Sequence, residues 1–363
     1  MLKQLTRPAM LFLYAAGCVL ATQAQGVITT PRQSPAANLT QTIGISTVTV
    51  NYSRPSVQGR EIWGALVPYG WNKQLNLGAK NDAPWRAGAN ENTVISFSHP
   101  VKVEGHEIPA GSYGLFFVIN KDNTGEVVIS KDYKSWGSFW YNPADDMMRA
   151  KIDLRTIPQT EWLTYDFVDL TKNSGELVLN WEKKQFPVKI EYATDEMVMA
   201  NAKAELTNTV GFTPQGYASA ANYAAQNKLD PHQALQWIDI ALQNNPTFAN
   251  MNTKSQILNE MGNDAEADKI MANAMSIANE NDLNNYGYAL LGNKDYKKAI
   301  DVLALNTQKH PNSANAWDSL GEAYALSGDK ANAIANFKKS LSLNPPANVK
   351  ANSEKYLKQL GAM

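Results

Sequence analysis

The sequence predicts a multidomain α+β protein: an N-terminal antiparallel β-sandwich or jelly roll, then a C-terminal all-α solenoid of repeated helix-turn-helix units. Two observations carry this prediction. Between about residues 40 and 193, apolar residues recur at alternate positions in short runs broken by Gly, Pro, Asn and Asp, the pattern of half-buried strands. From about residue 215 they recur at three- and four-residue spacing, and the pattern returns with a period near 34 residues, as stacked helical units require. A chain of 363 residues has room for both units, and an apolar content of 44% is ordinary for globular structure.

The chain starts with Lys3 and Arg7 ahead of an apolar run, Ala9 to Leu20, followed by Ala-Thr-Gln-Ala-Gln at residues 21 to 25. This reads as a signal peptide over residues 1–25, too short an apolar run for a permanent membrane helix. The mature protein is therefore expected to be exported, periplasmic or secreted. Cys18 is the single cysteine, and two readings stand. Cleavage after Ala24 or Gln25 discards it and leaves no thiol for disulfides, nucleophilic catalysis or metal binding. Cleavage at Gly17-Cys18 instead makes it the lipid anchor of an outer-membrane lipoprotein, although Tyr14-Ala15-Ala16-Gly17 lacks the usual aliphatic residue three places before the cysteine. Residues 26–39 are expected to be a flexible mature N-terminus.

Strands are predicted at Ile43–Tyr52, Val94–Phe97, Tyr113–Ile119, Glu126–Ser130, Lys151–Leu154, Leu163–Leu170, Glu176–Trp181 and Val188–Tyr192. The clearest hairpin turns are Asn120 to Gly125 and Lys172-Asn173-Ser174-Gly175. Seven of the nine tryptophans fall in this half. They either fill the core, with Trp162 and Trp181 the first candidates because they lie inside strand patterns, or form an aromatic platform for a ligand.

Three phrases mix aromatics with charges outside the strands. They are Arg54 to Trp63, Pro84 to Glu91, and Trp136 to Tyr141 with Asp145, Asp146 and Arg149 after it. With Ile108-Pro109-Ala110-Gly111-Ser112-Tyr113-Gly114-Leu115-Phe116, these phrases make residues 35 to 193 resemble a family of exported bacterial domains, domain of unknown function 2911. The resemblance implies a compact all-β domain, often joined to helical repeats, and brings no reaction with it. Within the phrases Arg54, Arg60, Trp85, Arg86, Asn90, Glu91, Trp136, Trp140, Tyr141 and Asp146 are the candidate ligand residues. Two arrangements suit them. The arginines pair with Glu91 and Asp146 in a network that fixes long loops, or the cations and aromatics converge on a pocket for an anionic, polar or carbohydrate ligand.

Catalytic signals are thin. The four histidines, His99, His106, His232 and His310, have no metal-ligand spacing, and no nucleophile elbow or phosphate-binding glycine loop occurs. The reading is therefore a non-enzyme without cofactor or metal, and an envelope hydrolase would need acid chemistry at Glu91 or Asp146. Charge is balanced: residues 1 to 193 carry 19 Lys and Arg against 17 Asp and Glu, residues 194 to 363 carry 14 against 17. Neither half has the basic excess that nucleic-acid binding requires.

Residues 194–214 read as a helical linker, with Asp195-Glu196 opening a run to Leu206 and Gly211 and Pro214 ending the segment. Residues 215–347 hold about four repeats. In the last, Trp317, Leu320 and Tyr324 mark one helix face, Gly321 permits close approach of a second helix, Ala333, Phe337 and Ser340 line that helix, and Pro345 ends it. Residues 314 to 347 thus resemble a tetratricopeptide repeat. Earlier copies keep Leu283, Gly287, Ala299 and Leu303, then Ser255, Leu258, Ala267 and Ala274, then Ala221, Ala234, Ile238 and Ala241; Asn306 is the weak position. Residues 348–363 form a polar capping helix. The resemblance places Tyr223, Gln226, Asn252, Gln256, Asn259, Asn281, Asn284, Tyr288, Asn315, Asp318 and Glu322 along a groove for a protein or peptide partner in the envelope. Carboxamides suit an extended backbone. Asp318 and Glu322 are expected to tilt the far end toward basic or neutral segments, and no lysine or arginine supplies a carboxylate clamp.

Overall fold

The computed structural model describes residue 28, residues 30–73 and residues 82–363; the leader and Cys18 readings lie outside the described residues. The chain divides into two compact units between Tyr192 and Ala193.

The first unit is built from two antiparallel sheets, in agreement with the alternating pattern. Its strands are β1 (Ala36–Ile43), β2 (Ser46–Ser53), β3 (Asn72–Lys73), β4 (Asp82–Ala83), β5 (Val94–Phe97), β6 (Val101–Val103), β7 (His106–Ile108), β8 (Gly111–Ile119), β9 (Thr124–Ser130), β10 (Asp146–Asp153), β11 (Arg155–Val168) and β12 (Ser174–Glu191). One sheet runs β1-β2-β5-β8-β9-β10, the other β11-β12-β6-β7, and β3 and β4 form a small ribbon. Inner faces meet through aromatic contacts, Phe117 of β8 on Phe186 of β12 at 5.1 Å and Tyr52 of β2 on Tyr165 of β11 at 4.7 Å.

Three departures from the expected strands have physical reasons. Residues 36–39, expected to be flexible, belong to β1, whose pairing with β2 extends from Ala36↔Ser53 to Ile43↔Ser46. Its apolar alternation is weak because it is an edge strand with only Ile43 buried, and cross-strand polar pairs hold it, Asn38 donating to Asn51 at 2.7 Å and Thr40 beside Thr49 at 3.0 Å. The separate runs at Glu176 and Val188 are one strand, β12. Its inward residues are Leu177, Leu179 and Trp181 before Glu182, and Phe186, Val188 and Ile190 after it. An irregularity at Glu182, with φ 55° and a shifted pairing register, changes the parity, so both stretches face inward. Trp162, expected in the core, is 40% exposed. Its neighbours Leu163, Tyr165 and Phe167 take the inward parity of β11, leaving Trp162 on the outer face.

The second unit is helical. After α1 (Thr194–Glu205) and a short 3-10 turn, Thr209–Phe212, come α2 (Pro214–Gln226), α3 (Pro231–Asn244), α4 (Phe248–Glu260), α5 (Asp264–Ile277), α6 (Glu280–Gly292), α7 (Tyr296–Lys309), α8 (Ala314–Ser327), α9 (Lys330–Ser342) and α10 (Ala347–Gln359). Side-chain caps mark several starts: Asp230, Thr247, Asp295, Ser313 and Asp329 each accept a hydrogen bond from the backbone N–H three residues on, and Asn279 with Asp282 forms a reciprocal box. The repeat positions are the interface: Ala221, Ala234, Ile238, Ala267, Leu283, Ala299, Leu303, Leu320, Ala333 and Phe337 are all buried. A Cβ on Gly321 would stand 2.9 Å from the Phe337 ring, so the small residue sets the α8–α9 distance. Asn306, the weak position, is fully buried and donates to the Glu280 carbonyl at 3.2 Å, as Ser340 donates to the Ala314 carbonyl at 2.8 Å. Both side chains tie a second helix to the start of the first.

Candidate functional site

In the first unit, β5 pairs with β8 only as far as Gly114, and the long segment between β2 and β5 takes over that edge. Leu115 N–H donates to the Thr93 carbonyl at 2.8 Å, Trp85 and Phe117 exchange backbone bonds of 2.8 and 2.9 Å, and Gly70 N–H donates to the Ile119 carbonyl at 2.8 Å. Arg54 fastens the segment to β11, donating to the Leu163 carbonyl at 2.9 Å and Thr164 Oγ1 at 2.6 Å. This docking leaves a cavity of about 570 Å³, within the ordinary range for small-molecule sites. Its wall includes Arg60, Trp85, Arg86, Asn90 and Trp181, and among the described residues no acid lines it.

Trp85 stacks on Trp181 with ring centroids 5.8 Å apart and planes at 18°, and Trp63 meets both edge-on. The stack continues into the core through Phe186, which makes that wall rigid. Trp63 donates its indole N–H to Glu182 Oε2 at 3.1 Å, whereas the buried indole N–H of Trp181 has no acceptor among the described residues.

Arg86 is half-buried and held from several sides. Its Nη1 donates to the Asn90 carbonyl at 2.6 Å, its Cζ lies 5.1 Å from the Phe139 ring centroid, and the backbone at Gly137 passes so close that a Cβ there would strike the guanidinium. Gly137 also has φ 64°, a conformation side-chain-bearing residues rarely take. Ser138 anchors that loop by donating to the Pro84 carbonyl at 2.7 Å. Burial pushes the Arg86 pKa down, since withdrawal from water disfavours the charged form. Arg60 is exposed at the rim and donates to the Val57 carbonyl at 3.1 Å and to the Ser56 carbonyl.

The expected pairing of these arginines with Glu91 and Asp146 does not form. Glu91 pairs with Arg32 at 2.7 and 2.9 Å. Desolvation raises its pKa, but a backbone hydrogen bond and Arg32 outweigh this and hold the carboxyl below its usual range, the opposite of what a general acid needs. Asp146 accepts from Arg149 Nε and from the Tyr141 hydroxyl, both at 2.6 Å, and burial followed by the Asp146 bond drives the Tyr141 pKa up. Arg149 also lies 4.3 Å over the Trp71 ring. Tyr141 packs beside Phe116 and Val128 and is not part of the cavity lining. Trp136 and Trp140 are 47% and 56% exposed and stand outside the lining. Of the ten candidates, the cavity thus collects Arg60, Trp85, Arg86 and Asn90. Sequence reading missed Gln33, Ser34, Gln58, Ser138 and Trp181 as lining residues. Gln58 and Ser138 lie within the aromatic and charged phrases but are neither aromatic nor charged, and Gln33, Ser34 and Trp181 join them only through the docking of distant segments. Among the described residues no group of His, Cys, Asp or Glu is placed to hold a metal.

In the second unit the groove residues divide. Gln226, Gln256, Asn259, Asn281 and Tyr288 are exposed, while Tyr223, Asn252, Asn284, Asn315 and Glu322 are half-buried. Tyr223 is engaged from α1, donating to Asp195 at 2.7 Å. At the far end α10 covers the acids. Asp318 is 4% exposed and accepts from Ser353 and from Asn352 at 2.8 Å, and Glu322 accepts from Tyr288 at 3.0 Å and Tyr356 at 3.1 Å. The expected acidic tilt toward a partner is therefore corrected: both carboxylates are occupied within the chain. Desolvation raises the Asp318 pKa, against the Ser353 and Asn352 bonds; desolvation followed by Glu322 pushes Tyr356 up to about 12. The signal was present, because Tyr288, Glu322 and Tyr356 are each 34 residues apart. The capping helix thus occupies the place of a next first helix.

Comparison with known proteins agrees with both halves. Residues 34–190 match the family model described as a protein of unknown function, DUF2911, and residues 314–347 match the tetratricopeptide repeat. No curated protein matches the chain. Solved structures similar to it include PilF of Pseudomonas aeruginosa, 22% identical over 42% of this chain and 71% of that one, with a TM-score of 0.27. Another is YrrB, described as a tetratricopeptide-repeat protein with an unusual peptide-binding site, 16% identical over 44% of this chain and 84% of that one, TM-score 0.28. A third is MamA of Desulfovibrio magneticus RS-1, 18% identical over 40% and 94%, TM-score 0.25. At these TM-scores the likeness adds nothing to the helix pairs themselves. No helix among the described residues is long and apolar enough to cross a membrane. The chain therefore joins a DUF2911 region of antiparallel strands, over residues 34–190, to a tetratricopeptide-repeat region that supports a protein-interaction scaffold.

Proposed function

We propose that this protein is an exported, non-catalytic scaffold whose repeats hold a polar, peptide-like partner in the cell envelope. One observation carries the reading: Gln226, Gln256, Asn259 and Asn281 stand exposed on α2, α4 and α6, the first helices of three successive repeats. Each carboxamide offers a donor and an acceptor, which suits an extended backbone without demanding particular side chains. The C-terminal end, by contrast, has its acids satisfied by α10. Export rests on the leader read at residues 1–25. Mass spectrometry of the mature N-terminus separates its two forms, a chain starting near Gly26 from one starting at an acylated Cys18.

Crosslinking in the source organism, comparing the full chain with a variant carrying Gln226→Ala, Gln256→Ala, Asn259→Ala and Asn281→Ala, tests the groove. The reading expects a partner captured by the first and lost from the second. Undiminished capture by the variant would remove its support. A second reading, that the strand-rich unit binds a small polar ligand, is favoured by the cavity around Trp85 and Arg86.

A further inference from the structure

We infer that the cavity of the strand-rich unit takes a small hydroxyl-rich molecule bearing an oxyanion, of the sugar-acid or sugar-phosphate kind, with Arg86 as its fixed donor and Arg60 as the cation at its rim. The inference rests on reading the cavity as a ligand site and adds the chemistry of the occupant. Among the described residues, two cations and no acid line the space. Neither arginine makes an ion pair among the described residues, where the arginine pairs are Arg32 with Glu91, Arg149 with Asp146 and Arg155 with Glu176. The undescribed residues 1–27, 29 and 74–81 contain no Asp or Glu, so they bring no carboxylate either.

A half-buried guanidinium without a counter-charge is unfavourable, and an arriving anion removes that cost. Arg86 is also preorganised for the task. Asn90, Gly137 and Phe139 hold its plane, its Nε and Nη2 donate to nothing among the described residues, and a planar fork matches the geometry of a carboxylate or phosphate. The body of the ligand must satisfy different neighbours. Gln33, Gln58 and Asn90 place carboxamides around the space, and Trp85 and Trp181 supply an aromatic wall whose buried indole N–H at Trp181 is without an acceptor among the described residues. Hydroxyls beside a flat apolar face suit this lining, whereas a purely apolar anion leaves the amides unmatched.

The test is a titration of the full chain with glucuronate, glucose 6-phosphate, glucose and inorganic phosphate, followed by tryptophan fluorescence and calorimetry. Saturable binding of glucuronate or glucose 6-phosphate, weaker binding of glucose and of phosphate alone, and a loss of roughly 10- to 100-fold in Arg86→Gln are the expected results; which of the first two binds tells carboxylate from phosphate. Arg60→Gln, at an exposed position where no ion pair is lost, is expected to weaken binding by about tenfold. Glucose binding as tightly as the charged sugars would overturn the oxyanion while leaving a ligand site. Phosphate binding as tightly as the sugar phosphate would overturn recognition of the hydroxyls. Absence of binding by every probe at roughly millimolar concentration would overturn both the inference and the ligand-site reading. Unchanged affinity in both arginine variants would overturn the roles given to them.

Discussion

Asp318 in the repeat unit and Arg86 in the strand-rich unit are both charged groups withdrawn from water, and their surroundings treat them in opposite ways. Asp318 is met by Ser353 and Asn352 from α10, which donate to both carboxylate oxygens. Arg86 is gripped sterically and by one backbone carbonyl, with no acid beside it. The difference teaches how to tell a structural charge from one set out for a ligand. In the first case the chain supplies the hydrogen bonds, and the charge joins two helices of a repeat end. In the second the chain supplies rigidity and leaves the counter-charge out.

The largest effect that sharpens this contrast is expected at Asp318. Asp318→Ala leaves the buried Ser353 hydroxyl without its acceptor and Asn352 with only its longer bond to Glu322, and should cost about 3 kcal/mol in urea unfolding of the repeat unit; a change under about 1 kcal/mol would show that the network is dispensable. The same residue should make stability depend on pH. Its folded pKa lies above the ordinary 3.8, chiefly through desolvation, so the folded state holds the proton more tightly than the unfolded chain. That contribution is fully present below the unfolded value and is lost as pH rises through the folded one. Urea midpoints measured upward from acid should therefore fall across that window in the wild type, and the fall should vanish in Asp318→Asn.

Gly137→Ala comes next. It places a Cβ against the Arg86 guanidinium at a backbone φ of 64°, and should cost about 1–2 kcal/mol while displacing the fork. Ligand affinity is expected to suffer more than stability, and an intact affinity would show that the grip on Arg86 is incidental. The smallest effect is expected for Arg60→Gln. Because no carboxylate loses a partner, thermal unfolding should register at most about 1 kcal/mol, and a larger loss would place Arg60 among structural charges after all.

Helix positions in the repeats were legible because each is set by neighbours three, four or about 34 residues away, and the small residues at Gly287, Gly321, Ala299 and Ala333 report the helix contact directly. Strand existence was legible where one face is buried, as at Val48 and Val50 or Leu115 and Phe117. It failed at β1, which buries almost nothing, and at Glu182, where an irregularity joined two apparent strands into one. For the cavity, aromatic and charged phrases pointed to Arg60, Trp85, Arg86 and Asn90, yet they equally suggested Trp136, Trp140, Tyr141 and Asp146. Local composition records which side chains are available, not which of them meet.

By itself, then, the sequence determined a chain of two characters, alternating strands and then stacked helix pairs, because secondary structure answers to apolar spacing along the chain. Only the tertiary structure decided which charges find partners. Glu91 went to Arg32, while Asp318 and Glu322 were closed over by α10. Arg86 was left facing a cavity lined by no acid. Those outcomes depend on segments 34 to 59 residues apart being brought together, and pairing at that range is set by packing rather than by any local pattern.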